Sequence, residues 1–195
     1  MSSDLLEIRW HGRGGQGAKT AAAMVAEVSV GAGKHGQAAP EYGAEREGAP
    51  IRAYTRISED IIKVHDAIYY PDIVVVLDDT LLVTQSVDSG LSDDGLLLVN
   101  TKMSPSEVRA TLGIEGRRIY TIDATKIALE EIGRPIPNTV MIGALCAVTG
   151  VVDVPHIEKL IEKKLGGKLS EDVLAGNKRA VERAFEEVRS EDAEA

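Results

Sequence analysis

Residues 11–17 read His-Gly-Arg-Gly-Gly-Gln-Gly. Gly12, Gly14 and Gly17 stand in G-x-G-x-x-G spacing, which suits a turn whose backbone N–H groups approach a phosphate. A strand-like run, Leu6–His11, precedes the turn, and an Ala-rich helical run, Ala18–Ala32, follows it. The unpaired amides and positive dipole end of such a helix favour an anion over the loop. The plainer reading is a tight strand-to-helix turn that needs small residues for packing.

Two familiar nucleotide motifs fit poorly. A dinucleotide site places an acid at the end of a second strand, about 20 residues on, for the ribose hydroxyl. Here that distance falls in Gly33–Pro40, which reads as loop, and Glu41 follows Pro40 outside any apolar run. A P-loop needs lysine directly after its last glycine, but Ala18 intervenes before Lys19 and Thr20. One inserted residue rotates a helical side chain by about 100°.

The segment 33–50 reads as an eighteen-residue loop, a length that usually marks a binding loop or partner contact. Behind it, the alternation of Ile51–Ile57 puts Arg52, Tyr54 and Arg56 on one strand face. Two guanidiniums beside a phenol could clamp phosphate or stack on a flat ring. Equally, they could pair with Glu41, Glu45 or Glu47. Asp78 and Asp79 end the run Ile73–Leu77, where ligands of open α/β sheets bind, and either could instead cap a helix. Asn138 reads as a cap. His11, His35, His65 and His156 show no metal-ligand spacing, so no metal site is expected.

These residues need a scaffold, and strand and helix alternate to supply one. Candidate strands are Leu6–His11, Ile51–Ile57, Ile73–Leu77, Leu96–Asn100 and Arg118–Ile122. The continuously apolar third and fourth suit a parallel sheet covered on both faces. Candidate helices are Ala18–Ala32, Thr80–Val87, Pro105–Leu112, Thr125–Ile132, Thr139–Thr149, Val154–Leu165 and Glu171–Val188. The first is apolar on nearly all sides, so it is buried in the domain or at a subunit interface. The order predicts an α/β fold: three-layer α/β/α, a mostly parallel sheet and a helical C-terminal extension, in a single domain over 1–195. Residues 190–195 read as frayed.

Composition narrows the function. A net charge of −9 argues against nucleic-acid binding. Cys146 is the lone cysteine, so this chain alone supplies neither a disulfide framework nor an iron–sulfur cluster, and its apolar setting predicts an inert core thiol. No apolar run is long enough to span a membrane and no signal pattern opens the sequence, so a soluble cytoplasmic protein is expected.

Gly12–Gly17 and Pro40–Ala53, taken with Tyr70-Pro71-Asp72, the strand into Asp78, and Asn138–Leu145, resemble the gamma subunit of 2-oxoacid:ferredoxin oxidoreductases of the pyruvate synthase type. The resemblance covers nearly the whole chain; Glu47 departs from it, standing where the family often has a second arginine. It implies an enzyme that decarboxylates a 2-oxoacid on thiamine diphosphate, passes electrons through iron–sulfur clusters to ferredoxin, and forms an acyl-CoA. Alpha, beta and delta subunits would share that work, with both cofactors on those partners and coenzyme A as co-substrate. The indolepyruvate type is a sibling, but the Pro40–Pro50 segment points to the pyruvate and branched-chain group. The gamma module is associated with CoA binding and subunit packing. Gly12, Arg13, Gly14, Gly15, Gln16 and Gly17, with Arg52 and Arg56, are then the expected CoA-binding residues, and no acid, base or nucleophile is expected on this chain. The alternatives are a purely structural assembly subunit of the same complex, a subunit of a 2-oxoisovalerate-, 2-oxoglutarate- or indolepyruvate-type enzyme, and a stand-alone nucleotide-binding protein.

Overall fold

The computed structural model describes residues 5–41, 48–167 and 169–191. Chain order is β1 (Leu6–Arg13), α1 (Ala18–Gly31), β2 (His35–Pro40), β3 (Pro50–Ser58), β4 (Ile73–Val76), α2 (Leu81–Thr84), β5 (Leu96–Asn100), α3 (Pro105–Leu112), β6 (Arg118–Ile122), α4 (Ala124–Ile132), α5 (Asn138–Thr149), α6 (Val154–Leu165), α7 (Glu171–Glu187) and β7 (Arg189–Ser190). The expected α/β fold is present. One mixed sheet runs β2-β3-β1-β4-β5-β6-β7. Its centre, β1-β4-β5-β6, is parallel; β3 joins β1 antiparallel, β2 joins β3 antiparallel, and β7 closes the far edge antiparallel to β6.

Alternation along the central strands feeds two separate cores. Ile8, Trp10, Ile73, Val75, Leu96 and Leu98 pack with α1, α4, α5, α6 and α7. Val74, Val76, Leu97, Val99 and Ile119 face the other way, onto α2 and α3. This is why β4 and β5 read as unbroken apolar runs: both of their faces are covered. The helical C-terminal extension is present and packs into the domain, because α5, α6 and α7 share the larger core with α1. Trp10 anchors that core, fully buried, and donates its indole N–H to Thr55 Oγ1 at 3.0 Å. Thr55 passes the chain on to the Ala22 carbonyl of α1 at 2.9 Å. Truncating such a tryptophan typically costs about 3–5 kcal/mol.

Three expectations need correction. The stretch 33–50 is not all loop, since His35–Pro40 forms β2 along β3. Gly36 lets β2 lie on α1: a Cβ there would sit 2.2 Å from the Ala26 carbonyl oxygen. The helix expected at Thr80–Val87 shrinks to the single turn of α2. Ser190 and Glu191 are not frayed, because Ser190 pairs with Tyr120 and Glu191 meets Arg109 in a two-pronged ion pair at 2.6 Å. Residues 192–195 lie outside the described residues. The apolar helix α1 is buried within the domain, against β2, β3 and the larger core. Among the described residues no helix is long and apolar enough to cross a membrane.

Candidate functional site

The glycine turn leaves β1 at Arg13 and enters α1 at Gly17. Gly15 and Gly17 take φ values of 97° and 83°, a region that glycine enters without steric cost. Gly17 is also tightly confined: a Cβ would fall 2.6 Å from Asn138 Nδ2. Asn138 is not the expected cap, since Pro137 holds that position and Asn138 is the first residue of α5; its side-chain oxygen accepts from the Thr139 amide at 2.8 Å, and the side chain closes over Gly17. The N-cap position of α1 is Gly17 itself, so among the described residues no side chain caps this helix. A helix entered this way presents uncapped amides beside the turn.

The turn is partly self-satisfied. The Gly14 amide donates to the Ala49 carbonyl at 2.9 Å, and the Gly48 amide returns to the Gly14 carbonyl at 3.1 Å. The Gln16 amide donates to the Arg13 carbonyl at 3.1 Å. Among the six residues expected to cradle a phosphate, Gly14 and Gln16 thus spend their amides internally, while Gly15 stands exposed. Gln16 Oε1 accepts the Arg13 amide at 2.8 Å, and its Nε2 donates to Asp78 Oδ2 at 2.6 Å. The Arg13 guanidinium donates to Thr80 Oγ1 at 2.7 Å and to the Gly48 carbonyl at 3.1 Å, with Nε 3.5 Å from Asp78. Asp78 caps no regular helix; it accepts the Thr80 amide at 3.1 Å. Burial works against its charge, yet hydrogen bonds from Thr80 and Gln16 and the nearby Arg13 hold its carboxyl below the usual range.

Register carries the arginines to one face. β1 sets Arg9 opposite Tyr54, His11 opposite Arg52 and Glu7 opposite Arg56. Alternation then places Glu7, Arg9, His11, Arg13, Arg52, Tyr54 and Arg56 on the same side of the sheet. The expected alignment of Arg52, Tyr54 and Arg56 is present, but the three differ in availability. Arg56 is buried and fully committed: to Glu7 at 2.7 Å, Gln37 at 3.3 Å and the Asp66 carbonyl at 2.8 Å. It is a structural cross-brace, and of the two readings of this strand face, pairing describes it, with Glu7 rather than the loop acids as partner. Arg52 keeps a 43 % exposed side chain, 3.7 Å from Glu41. Tyr54 donates to Glu41 at 2.7 Å, and burial together with that carboxylate pushes its phenol up to about 12. Glu45 and Glu47 lie outside the described residues.

Arg9 is the residue the sequence reading missed. It is buried, and donates to His11 Nε2 at 3.0 Å and to the carbonyls of Val87 and Ser89 at 3.0 and 2.5 Å. Burial and the charge of Arg52 lower its pKa. His11 pays the electrostatic consequence: burial first, then Arg9 and Arg52, drive its pKa down to about 3. The imidazole is therefore neutral, with Nε2 accepting from Arg9 and the proton assigned to Nδ1. Strict alternation around Trp10 was the available signal for both residues. Cys146 is buried in the larger core, and burial pushes its thiol up to about 12. Among the described residues no group of three His, Cys, Asp or Glu side chains is placed to hold a metal ion.

A glycine turn at the carboxyl end of the first strand, flanked by arginines on a mixed sheet, marks an α/β module with one elaborated corner. The family model described as pyruvate ferredoxin/flavodoxin oxidoreductase matches residues 7–187, and the chain belongs to that family. It is 54 % identical to pyruvate synthase subunit PorC of Thermotoga maritima over 97 % of each chain. It is 45 % identical to the pyruvate/ketoisovalerate oxidoreductases common subunit gamma of Pyrococcus abyssi, over 95 % of this chain and 98 % of that one. The crystal structure of the Thermotoga maritima subunit superposes with a TM-score of 0.85 at 51 % identity, covering 96 % of this chain and 98 % of that chain. The resemblance to a gamma subunit, which runs from the glycine turn through Asn138–Leu145, is thereby borne out. The 2-oxoglutarate:ferredoxin oxidoreductase of Magnetococcus marinus shares the fold at 20 % identity and a TM-score of 0.76, over 94 % of this chain and 31 % of that one.

Proposed function

We propose that the chain serves as the gamma subunit of a multi-subunit 2-oxoacid:ferredoxin oxidoreductase of the pyruvate synthase type, located in the cytoplasm. In that complex it contributes coenzyme A binding and subunit packing. Alpha, beta and delta chains carry thiamine diphosphate and the iron–sulfur clusters, and the complex reduces ferredoxin. The lone thiol of this chain is buried, which agrees with clusters held elsewhere. The observation that carries the CoA reading is the pairing of an uncapped, glycine-entered helix with two partly exposed guanidiniums, Arg13 and Arg52, on the adjoining sheet face. Phosphates suit both partners. Gly15, Gly17, Arg13 and Arg52 are the working members of the expected set; Gly12, Gly14 and Gln16 shape the turn, and Arg56 braces the strand.

A second contribution, packing, has its own support. Ile61, Val64, Tyr69 and Tyr70 are exposed on the connection from β3 to β4. Large apolar side chains gathered on one segment mark a partner surface. Arg52→Gln in the complete oxidoreductase separates the two roles. The CoA reading expects a rise of roughly five- to ten-fold in KM for CoA in an assembled complex. A complex that no longer assembles would make Arg52 an interface residue, and an unchanged KM would remove it from CoA binding.

A further inference from the structure

A turn built from glycines has little conformational preference of its own, so something outside it must hold its shape. Beside the backbone bonds of Gly14, Gly48 and Gln16, one amide side chain ties the turn to the neighbouring strand. Gln16 ties its Oε1 to the Arg13 amide inside the turn and its Nε2 to Asp78 outside it. Asp78 in turn is fixed to the sheet. The Leu77 amide donates to the His11 carbonyl at 2.8 Å, locking the end of β4 to the end of β1. Asn100 donates to the Leu77 carbonyl at 2.8 Å, and Thr101 donates to Asp79 at 2.7 Å, so β5 steadies the same corner. Thr80 donates both its amide and its hydroxyl to Asp78 Oδ1. The other oxygen, Oδ2, is left to face Gln16 and Arg13, the two side chains that belong to the turn.

We propose that Asp78 is a positioning residue for CoA. Acting through Gln16 and Arg13, its carboxylate holds the Gly12–Gly17 turn in the shape that presents Gly15, Gly17 and the Arg13 fork to a phosphate. Asp78 touches no ligand itself, and its charge is masked by Arg13, Gln16 and Thr80. The inference rests on the CoA reading given above.

The test uses the complete oxidoreductase, co-expressed with its partner chains. Asp78→Asn keeps the shape and removes the charge that orders Gln16 and Arg13. The expected result is a rise of roughly ten-fold in KM for CoA, a smaller change in kcat at saturating CoA, and no shift in KM for the oxoacid. Asp78→Glu, which retains the charge, recovers part of the loss. Gln16→Met breaks the same link from the side of the turn and serves where Asp78→Asn does not assemble. An unmoved KM for CoA in the assembled variants, or a fall in kcat alone, would overturn the proposal. Failure of both variants to assemble would overturn it too, by assigning the network to the fold. Should Arg52→Gln raise KM while these variants do not, the CoA reading survives without Asp78. Should none of the three move it, the CoA reading falls as well.

Discussion

His11 turns the polar sheet face into a pH measurement. Its side chain is buried beside Arg9 and stays neutral, with a pKa of about 3 against the usual 6.5. Between those two values the unfolded chain binds a proton that the folded chain refuses. Stability therefore falls as pH falls from about 6.5 toward about 3, the sign expected for a depressed folded pKa. Linkage gives the size: going from about pH 7 to about pH 5, this one site removes about 2 kcal/mol. His11→Gln keeps an acceptor near Arg9 and abolishes the titration. The assay is urea unfolding of both proteins at the two pH values. Carboxylates such as Asp78 and Glu131, whose pKa values are lowered in the fold, act alike in both proteins and cancel in the difference. The native chain should lose about 2 kcal/mol more than His11→Gln over this interval. Equal losses would mean instead that folded His11 takes up its proton at an ordinary pH and is not desolvated against Arg9.

Three further outcomes follow from the same geometry. Arg9→Met should destabilise the chain by about 3 kcal/mol in urea unfolding, since it strands the buried carbonyl of Val87 along with that of Ser89 and leaves His11 without its donor. Gly17→Ala combines a positive φ with a Cβ jammed against Asn138, whereas Gly15→Ala meets the φ penalty with no atom of the described residues within 4 Å. Their melting temperatures should rank accordingly, with Gly15→Ala costing about 1 kcal/mol and Gly17→Ala clearly more. Cys146 should resist a thiol reagent at neutral pH in the folded chain and react once urea unfolds it, because burial holds it as a neutral thiol.

The fold was largely legible because its central strands obey simple patterning. Ile73–Val76 and Leu96–Asn100 are apolar on both faces, and the Ser104-Pro105 start of α3 carries a full capping box with Glu107. What escaped were elements whose structure is made by their neighbours. β2 reads His-Gly-Gln-Ala-Ala-Pro, with no β-branched residue and no alternation; it is a strand because β3 pairs with it and Gly36 lets it rest on α1. β7 is two residues held by β6 and by the pairing of Glu191 with Arg109. In the site, spacing alone located the turn and the arginine strand. Spacing could not show that Arg56 is taken by Glu7, or that Asp78 reaches Gln16 from 62 residues away, since both facts depend on how β1 sits between β3 and β4. Arg9 and His11 are readable in principle, as polar residues alternating around a buried tryptophan, but spacing does not show that Arg9 reaches the carbonyls of Val87 and Ser89.

The proposal that this chain works as one subunit of an acyl-CoA-forming oxidoreductase is tested by anaerobic purification of the chain from its native cells, with each stoichiometric partner identified by mass. The expected result is recovery with a thiamine-dependent chain and a cluster-bearing, ferredoxin-like chain, in a complex that consumes CoA and a 2-oxoacid. Recovery of the chain alone, as a monomer or as copies of itself, would contradict it.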